Sequence, residues 1–271
     1  MPELPEVETT VRGLAPVLQG RRIESIELRR ADLRRPFPLD LRQRLTGATV
    51  TGLARRAKYG LIETDRGDTM VFHLGMSGSW RVDPAETGKH DHVVIQTDEG
   101  RRLALNDPRR FGTVDLLRSD SLERSAPFAT MGPEPLGEAF DGQFLQGSLS
   151  GRKAPIKALL LDQRLVAGLG NIYVCDALNL AAIAPGRAGG RISRTRLDRL
   201  ADAVKSVLRE AIEAGGSSLR NYVRPNGELG YFSSKWRVYG REGKACPRCT
   251  APVRRRVDGG RSTFYCANCQ H

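Results

Sequence analysis

The apolar residues Leu4, Val7, Val11, Leu14 and Leu18 are spaced 3, 4, 3 and 4 apart. That spacing lays one stripe along a helix that ends near Gly20. Pro5 falls in its first turn, where a missing N–H costs nothing. Between about residues 22 and 118 the pattern changes to short β-rich runs. These are Ile23 to Leu28, Ala48 to Ala54, Gly60 to Thr64, Met70 to Leu74, His92 to Thr97 and Arg102 to Leu105. Turn signals at Asp65-Arg66-Gly67-Asp68 and Asp98-Glu99-Gly100 separate neighbours. The expectation is a β-sandwich preceded by one helix.

A Pro/Gly-rich stretch, Met131 to Gly137, then marks a boundary, and beyond it the period is helical. Helices are expected over Ile156 to Leu161, over Ile172 to Leu180, and from Thr195, with Leu197, Leu200, Val204, Val207, Leu208, Ala211 and Ile212 on one face and Ser193 as N-cap. After Gly215-Gly216 a polar run to Tyr231 has no clear period. No internal repeat or long low-complexity tract appears.

Composition narrows the partner. The chain's 271 residues suffice for two domains, and 43 Lys plus Arg against 31 Asp plus Glu leave a net charge of +12. Such an excess calls for a polyanion, and nucleic acid leads because no apolar run approaches the roughly 18 residues of a membrane span. The start lacks the basic and apolar regions of a secretory signal, so a reducing cytoplasm is expected and the five cysteines read as thiols or metal ligands.

Four of those cysteines form two C-x-x-C pairs, Cys246/Cys249 and Cys266/Cys269, with 16 residues between them. This is the spacing of a four-thiolate zinc site, in which two knuckles close a tetrahedron; two disulfides are the lesser alternative in a reducing compartment. Asp258-Gly259-Gly260 between the pairs suggests a hairpin turn, hence a zinc ribbon. Arg248, Arg254, Arg255, Arg256 and Arg261 make it basic, so a structural zinc holding a DNA-contacting hairpin is expected. Cys175, within a helical run, reads as a packed core residue. Upstream, Leu161 to Tyr173 reads as helix, glycine-containing turn, helix, with Asn171 able to cap the second helix and Gly168 and Gly170 exposing backbone N–H groups to an anion. By itself this pattern is more often structural than functional.

MPELPEVET at the start, HLGMSG at His73 to Gly78, NDPRRFG at Asn106 to Gly112, GLGNIY at Gly168 to Tyr173 and the terminal C-x2-C-x16-C-x2-C occur in one order along the whole chain. Together they resemble the bacterial formamidopyrimidine-DNA glycosylases. The related endonuclease VIII enzymes typically begin PEGPE, whereas Leu4 stands at that glycine here, which favours oxidised purines over oxidised pyrimidines. The resemblance implies an α+β fold: residues 1–130 as an N-terminal helix and β-sandwich catalytic domain, 131–139 as a linker or hinge, 140–234 as a helical domain with a helix-two-turn-helix element and a lesion-capping loop, and 235–271 as a four-cysteine zinc finger. It further implies a monomer with one structural zinc, acting in the cytoplasm and on the nucleoid when bound to double-stranded DNA carrying oxidised bases or abasic sites. A non-catalytic zinc-ribbon DNA-binding protein and an N-terminal-proline tautomerase are the competing readings. The tautomerase reading leaves the ribbon and the charge unexplained.

The same resemblance implies roles. Once Met1 is removed, the amine of Pro2 is the nucleophile at C1′ of the damaged nucleotide; a terminal amine titrates near 8, below lysine, and proline's iminium cannot lose an N–H proton and so serves as an electron sink. Glu3 is the general acid/base and Glu6 supports it, while Glu8 reads as ordinary complementation of the helix dipole. Lys58 matches the lysine near the lesion phosphates. Arg261 is expected in the catalytic set as a phosphate clamp, with Lys157, Asn171, His92 and Arg110 contacting DNA. Met76, Arg109 and Phe111 fill the void left by the flipped nucleotide. His73 reads as structural, and the run from Gly216 to Phe232 as a loop over the flipped base. Two departures, Asp176 where Glu is common and Asn106 where some members carry His, leave the reaction class intact.

Overall fold

The computed structural model describes residues 2–217, 225 and 230–271. The chain forms two compact units, one of Met1–Ala129 with Ala214–Tyr231, the other of Thr130–Glu213 with Phe232–His271.

In the first unit α1, Leu4–Leu18, buries Leu4, Val7, Val11, Leu14 and Leu18, the stripe that the spacing predicts. Eight strands follow: β1 Ile23–Leu28, β2 Val50–Arg56, β3 Tyr59–Thr64, β4 Asp68–His73, β5 Ser79–Val82, β6 Asp91–Thr97, β7 Arg102–Asn106 and β8 Thr113–Arg118. A short helix α2, Leu41–Leu45, interrupts them. They build two antiparallel four-stranded sheets, ordered β1-β6-β7-β5 and β2-β3-β4-β8. Leu14, Leu18, Ile62, Phe72, Trp80, Ile95 and Leu105 belong to one core, so the first helix packs into the sandwich and its N-terminal tip is fixed by that packing. Gly60 on β3 is required there: a Cβ would lie 2.1 Å from the Phe72 ring.

The second unit holds α3, Gly142–Leu149, α4, Ile156–Leu160, α5, Asn171–Leu180, and α6, Arg194–Glu213, with the hairpin β9, Arg254–Asp258, and β10, Arg261–Tyr265. Asp141 caps α3 by accepting the Phe144 N–H at 2.7 Å. Helix α6 buries the predicted face from Leu197 to Ile212. The Pro/Gly stretch expected as a linker is docked within this unit. Gly132 donates to Gln163 O at 2.9 Å, Pro133 O accepts from Ala167, and a Cβ on Gly132 would stand 2.4 Å from Leu165 O. The segment from Ala214, expected with the helical domain, instead groups with the sandwich unit. Among the described residues no helix is long and apolar enough to cross a membrane.

Candidate functional site

The tip of α1 is buried. Pro2 is buried, Glu3 is 3% exposed and Glu6 is 2% exposed. Glu3 is the N-cap residue, with extended backbone, and forms a capping box with Glu6, whose Oε2 accepts the Glu3 N–H at 2.8 Å. The other Glu6 oxygen, Oε1, accepts the Ser217 N–H at 2.7 Å. Next to it Gly216 has φ +81°, a conformation that favours glycine, and a Cβ there would sit 3.1 Å from Glu6 Oε1. One carboxylate therefore ties the backbone beside Pro2 to a segment 211 residues away. Truncating it strands two buried N–H groups, each worth about 1–3 kcal/mol. Glu6→Ala is expected to lose about 2–4 kcal/mol of stability in urea unfolding, and a loss under about 0.5 kcal/mol would refute the anchoring.

Glu8 does more than complement the helix dipole. It accepts from Arg55 Nε of β2 at 3.0 Å and from Arg12 at 2.8 Å, and Arg55 Nη1 donates to Ala57 O at 2.9 Å. Arg56 pairs with Tyr59 across the β2–β3 turn, so Ala57 and Lys58 form a two-residue hairpin loop. Ala57 has φ +55°, a left-handed conformation that costs a non-glycine residue about 1–2 kcal/mol. The strain is held in place by the Glu8–Arg55 link, and Lys58 at the loop tip is buried rather than an exposed strand end.

Met76 and Phe111, both 41% exposed, are two of only five large apolar side chains exposed among the described residues. They stand on two touching turns. Gly75 has φ +61°, and a Cβ there would lie 2.4 Å from the Phe111 carbonyl carbon. Ser77 Oγ donates to Asp107 Oδ1 at 2.6 Å, and Asp107 Oδ2 accepts the Gly112 N–H at 2.8 Å. Fully buried, Asp107 thus closes the turn from both sides. The Arg109 guanidinium carbon lies 4.7 Å above the Phe111 ring. His73 Nδ1 accepts the Gly75 N–H at 3.0 Å, and burial, aided by Lys58, Arg34 and Arg35, pushes its pKa down to about 4. It is a neutral acceptor that shapes the approach to Met76. Arg110 has φ +55° and is exposed, 3.8 Å from Asp32. His92 is 4% exposed, and its Nε2 lies 3.0 Å from Asp107 O, so its side chain braces the same turn from inside.

In the second unit Lys157 Nζ donates to Thr263 Oγ1 at 2.7 Å and to Ser262 O at 3.2 Å, and burial lowers its pKa. The capping expectation for Asn171 is corrected: Gly170 is the N-cap of α5. Asn171 instead donates from Nδ2 to Ser262 O at 2.9 Å, while its Oδ1 is buried with no protein partner. Gly170, with extended backbone, takes the cap position and leaves Asn171 as the first residue inside the helix. Gln163 organises the turn before α5, accepting from Gly168 N–H at 2.9 Å and donating to Leu169 O at 2.9 Å. With Arg261 exposed at the start of β10, Lys157, Asn171 and Arg261 converge on one hairpin.

Cys246, Cys249, Cys266 and Cys269 bring their Sγ atoms within 4.8 Å of one another, and the Cys249 and Cys266 sulfurs are 3.5 Å apart. Disulfide bonding needs about 2.05 Å, whereas a tetrahedron of 2.3 Å Zn–S bonds has edges of about 3.8 Å. The donor set fits one structural zinc with all four positions filled by protein. The ribbon is locked to α5 beyond the metal. Arg248 donates to Asn179 O at 3.0 Å, and Gln270 Oε1 accepts from Asn179 Nδ2 at 3.1 Å and from Cys266 N–H at 2.8 Å. Cys175 is fully buried in the cluster with Val238, Val253 and Phe264. Asp176, also fully buried, accepts N–H groups from Arg237, Val238 and Tyr239, at 2.9, 3.1 and 3.1 Å.

Sequence reading passed over Asp107, Gln163 and the Glu8–Arg55 link, and took Asp176 only as a departure from a common Glu, not as the acceptor of three backbone N–H groups. Of these only Asp107, inside NDPRRFG, carried a local signal. Of the run from Gly216 to Phe232, residues 218–224 and 226–229, Ser218 included, lie outside the described residues, as does Met1.

Comparison with known proteins agrees along the whole length. Residues 1–114 match the formamidopyrimidine-DNA glycosylase N-terminal domain, 131–223 the H2TH domain of the same enzymes, and 243–271 the zinc finger found in FPG and IleRS. A formamidopyrimidine-DNA glycosylase of Rhizorhabdus wittichii is 69% identical over 270 residues, covering 100% of both chains. The crystal structure of the MutM (Fpg) protein from Thermus thermophilus superposes with a TM-score of 0.89 at 39% identity, covering 99% of this chain and 98% of that one. Wild-type Lactococcus lactis Fpg in complex with DNA containing N7-benzyl-Fapy-dG gives 0.91 at 36% identity, covering 100% of both. With its sandwich, its helical element and its four-cysteine ribbon each matched in order, the chain belongs to the formamidopyrimidine-DNA glycosylase family.

Proposed function

We propose that this chain is a bifunctional DNA glycosylase and AP lyase of base excision repair, which removes oxidised purines such as 8-oxoguanine and formamidopyrimidines from duplex DNA and then cuts the backbone. The observation that carries the reading is the tip of α1: Pro2, Glu3 and Glu6 are buried together at a helix start, in a chain that matches the family over its whole length. The target nucleotide is flipped from the stack before chemistry. With Met1 removed, the Pro2 nitrogen attacks C1′; the C1′–base bond breaks and its electron pair leaves with the base, which takes up a proton. Glu3 protonates the sugar ring oxygen as the ring opens, and the amine proton is lost as the iminium forms. Drawing electrons from the adjacent carbon, this cation lets a C2′ proton leave with expulsion of the 3′ phosphate, and a second elimination expels the 5′ phosphate.

Glu6 holds the Glu3 backbone while this occurs, and Lys58 serves the lesion phosphates from its strained loop. Lys157, Asn171 and Arg261 grip phosphates around the flipped nucleotide, Arg261 as part of the catalytic set, with Arg110 adding a surface contact and His92 serving the DNA-contacting turn it braces. Phe111 wedges beside a base pair, Met76 fills volume and Arg109 bonds the orphaned base. Their exposure on two mutually locked turns supports that assignment, since apolar side chains held out in water are costly without a partner. The zinc is structural and supplies no open coordination position. The enzyme works in the bacterial cytoplasm, at the nucleoid when on DNA, as a monomer.

Excision rates on duplexes carrying 8-oxoguanine opposite cytosine against thymine glycol test the substrate class. The expected kcat/KM is at least about tenfold higher for the purine, and a preference for thymine glycol rejects the assignment.

A further inference from the structure

A cleft of about 340 Å³ in the second unit is lined by Pro155, Leu161, Lys157 and Arg261, and also by two carboxylates, Asp162 and Asp258. Asp162 is engaged by Arg164, which donates to it from Nε at 3.0 Å and Nη2 at 2.9 Å. Asp258 is connected differently. Its Oδ2 accepts from Thr263 Oγ1 at 2.7 Å and from Arg256 Nε at 2.9 Å. Since that hydroxyl hydrogen points at Asp258, the Thr263 oxygen is free to accept the Lys157 ammonium at 2.7 Å. Lysine, threonine and aspartate thus form one directed chain around a fully buried hydroxyl.

We propose that Asp258 is a resident counter-anion of the phosphate site formed by Lys157 and Arg261, setting how strongly that site grips DNA of any sequence. The inference rests on the reading of Lys157 and Arg261 as phosphate contacts. Acting through Thr263, the carboxylate orients the Lys157 ammonium into the cleft and offsets the cationic field of Arg256, Arg261 and Lys157. An incoming phosphate gains the two cations but meets the aspartate's charge across the same cleft. A site of pure cations binds every phosphate of undamaged DNA; one holding its own anion binds them less and leaves discrimination to contacts made by the flipped nucleotide. Asp258 is a positioning residue and touches no reacting atom.

Zinc-loaded full-length Asp258→Asn, which keeps an oxygen for Thr263 and removes the charge, is compared with the unaltered chain for binding to an undamaged duplex across a salt series. The expected result is binding about three- to tenfold tighter at low salt, with the gain fading as salt rises. Asp258→Ser, which lacks both the charge and the reach, changes affinity in the same direction. Affinity equal to or weaker than that of the unaltered chain at low salt, or a gain independent of salt, overturns the proposal. A purely packing role would weaken both variants together with thermal stability. Lys157→Ala and Arg261→Ala are measured alongside on an abasic-analogue duplex. If they fail to weaken binding, the phosphate-site reading itself has failed; if they weaken it and the Asp258 variants do not tighten it, only the counter-anion falls.

Discussion

Inserting one alanine between Met1 and Pro2 is expected to abolish the covalent adduct that borohydride traps on lesion-bearing DNA and to lower strand cleavage by about 10³-fold or more. The insertion leaves every side chain in place but turns the ring nitrogen into an amide, which has no electron pair to offer C1′. Losses on this scale are what removal of a covalent nucleophile produces when binding and orientation persist. Affinity for a duplex with an uncleavable abasic analogue should stay within about tenfold, because the phosphate contacts assigned to Lys157, Asn171 and Arg261 are untouched. Adduct formation at undiminished rate would transfer the nucleophile to another amine and sink the N-terminal mechanism. The same experiment separates an enzyme from a ribbon protein that merely binds DNA, since the latter yields no adduct before or after the insertion.

Stripping zinc, or substituting Cys266→Ser, is expected to reduce lesion-duplex affinity by at least about 100-fold. Four thiolates bound to zinc contribute about 10–16 kcal/mol to the folding of a small ribbon, and this hairpin has little else of its own. Its strand β9 is exposed along most of its length, and its apolar support comes from Phe264, Val253 and Val238 beside Cys246 and Cys266. Without the metal, the Ser262 carbonyl no longer holds Asn171 and Lys157, and Arg261 loses its platform. Effects should be read as binding in a salt series and as loss of thermal stability, and both should return when zinc is restored. An apo-protein that binds with unchanged affinity would contradict the dependence of the phosphate site on the ribbon.

Much of this was legible beforehand because the signals are local. A 3.6-residue stripe marked α1 and α6, and the two C-x-x-C pairs announced the ribbon. Strands β5 and β8 escaped because four residues of Ser-Trp-Arg-Val and six beginning Thr-Val-Asp carry too short an alternation beside glycine-rich turns. Helix α3 was hidden by glycines at both its first position and Gly147. The site was legible as residue types but not as wiring. Asn171 is a residue type that caps helices, yet Gly170 takes the cap and the Asn171 amide donates to a hairpin carbonyl 91 residues away, a tertiary contact that no local propensity encodes. Glu6 reads as support for Glu3 beside it, and nothing within a window of sequence points to Ser217.

The course of the chain between the two units limits how the molecule can be taken apart. It passes from one unit to the other three times, at 129–130, 213–214 and 231–232, so the sandwich is completed only by residues made after the helices of the second unit and before its ribbon. Val82, on the edge strand β5, donates its N–H to Pro225 O at 3.0 Å, and Glu6 awaits Ser217. A fragment ending near residue 130 would contain every strand of both sheets and still present an unguarded edge and a Glu6 carboxylate that lacks its Ser217 donor. On the ribosome the first unit therefore cannot mature first: the tip of its first helix is closed off only when Ser217 arrives, so a nascent or truncated chain lacks the finished tip on which the proposed chemistry depends.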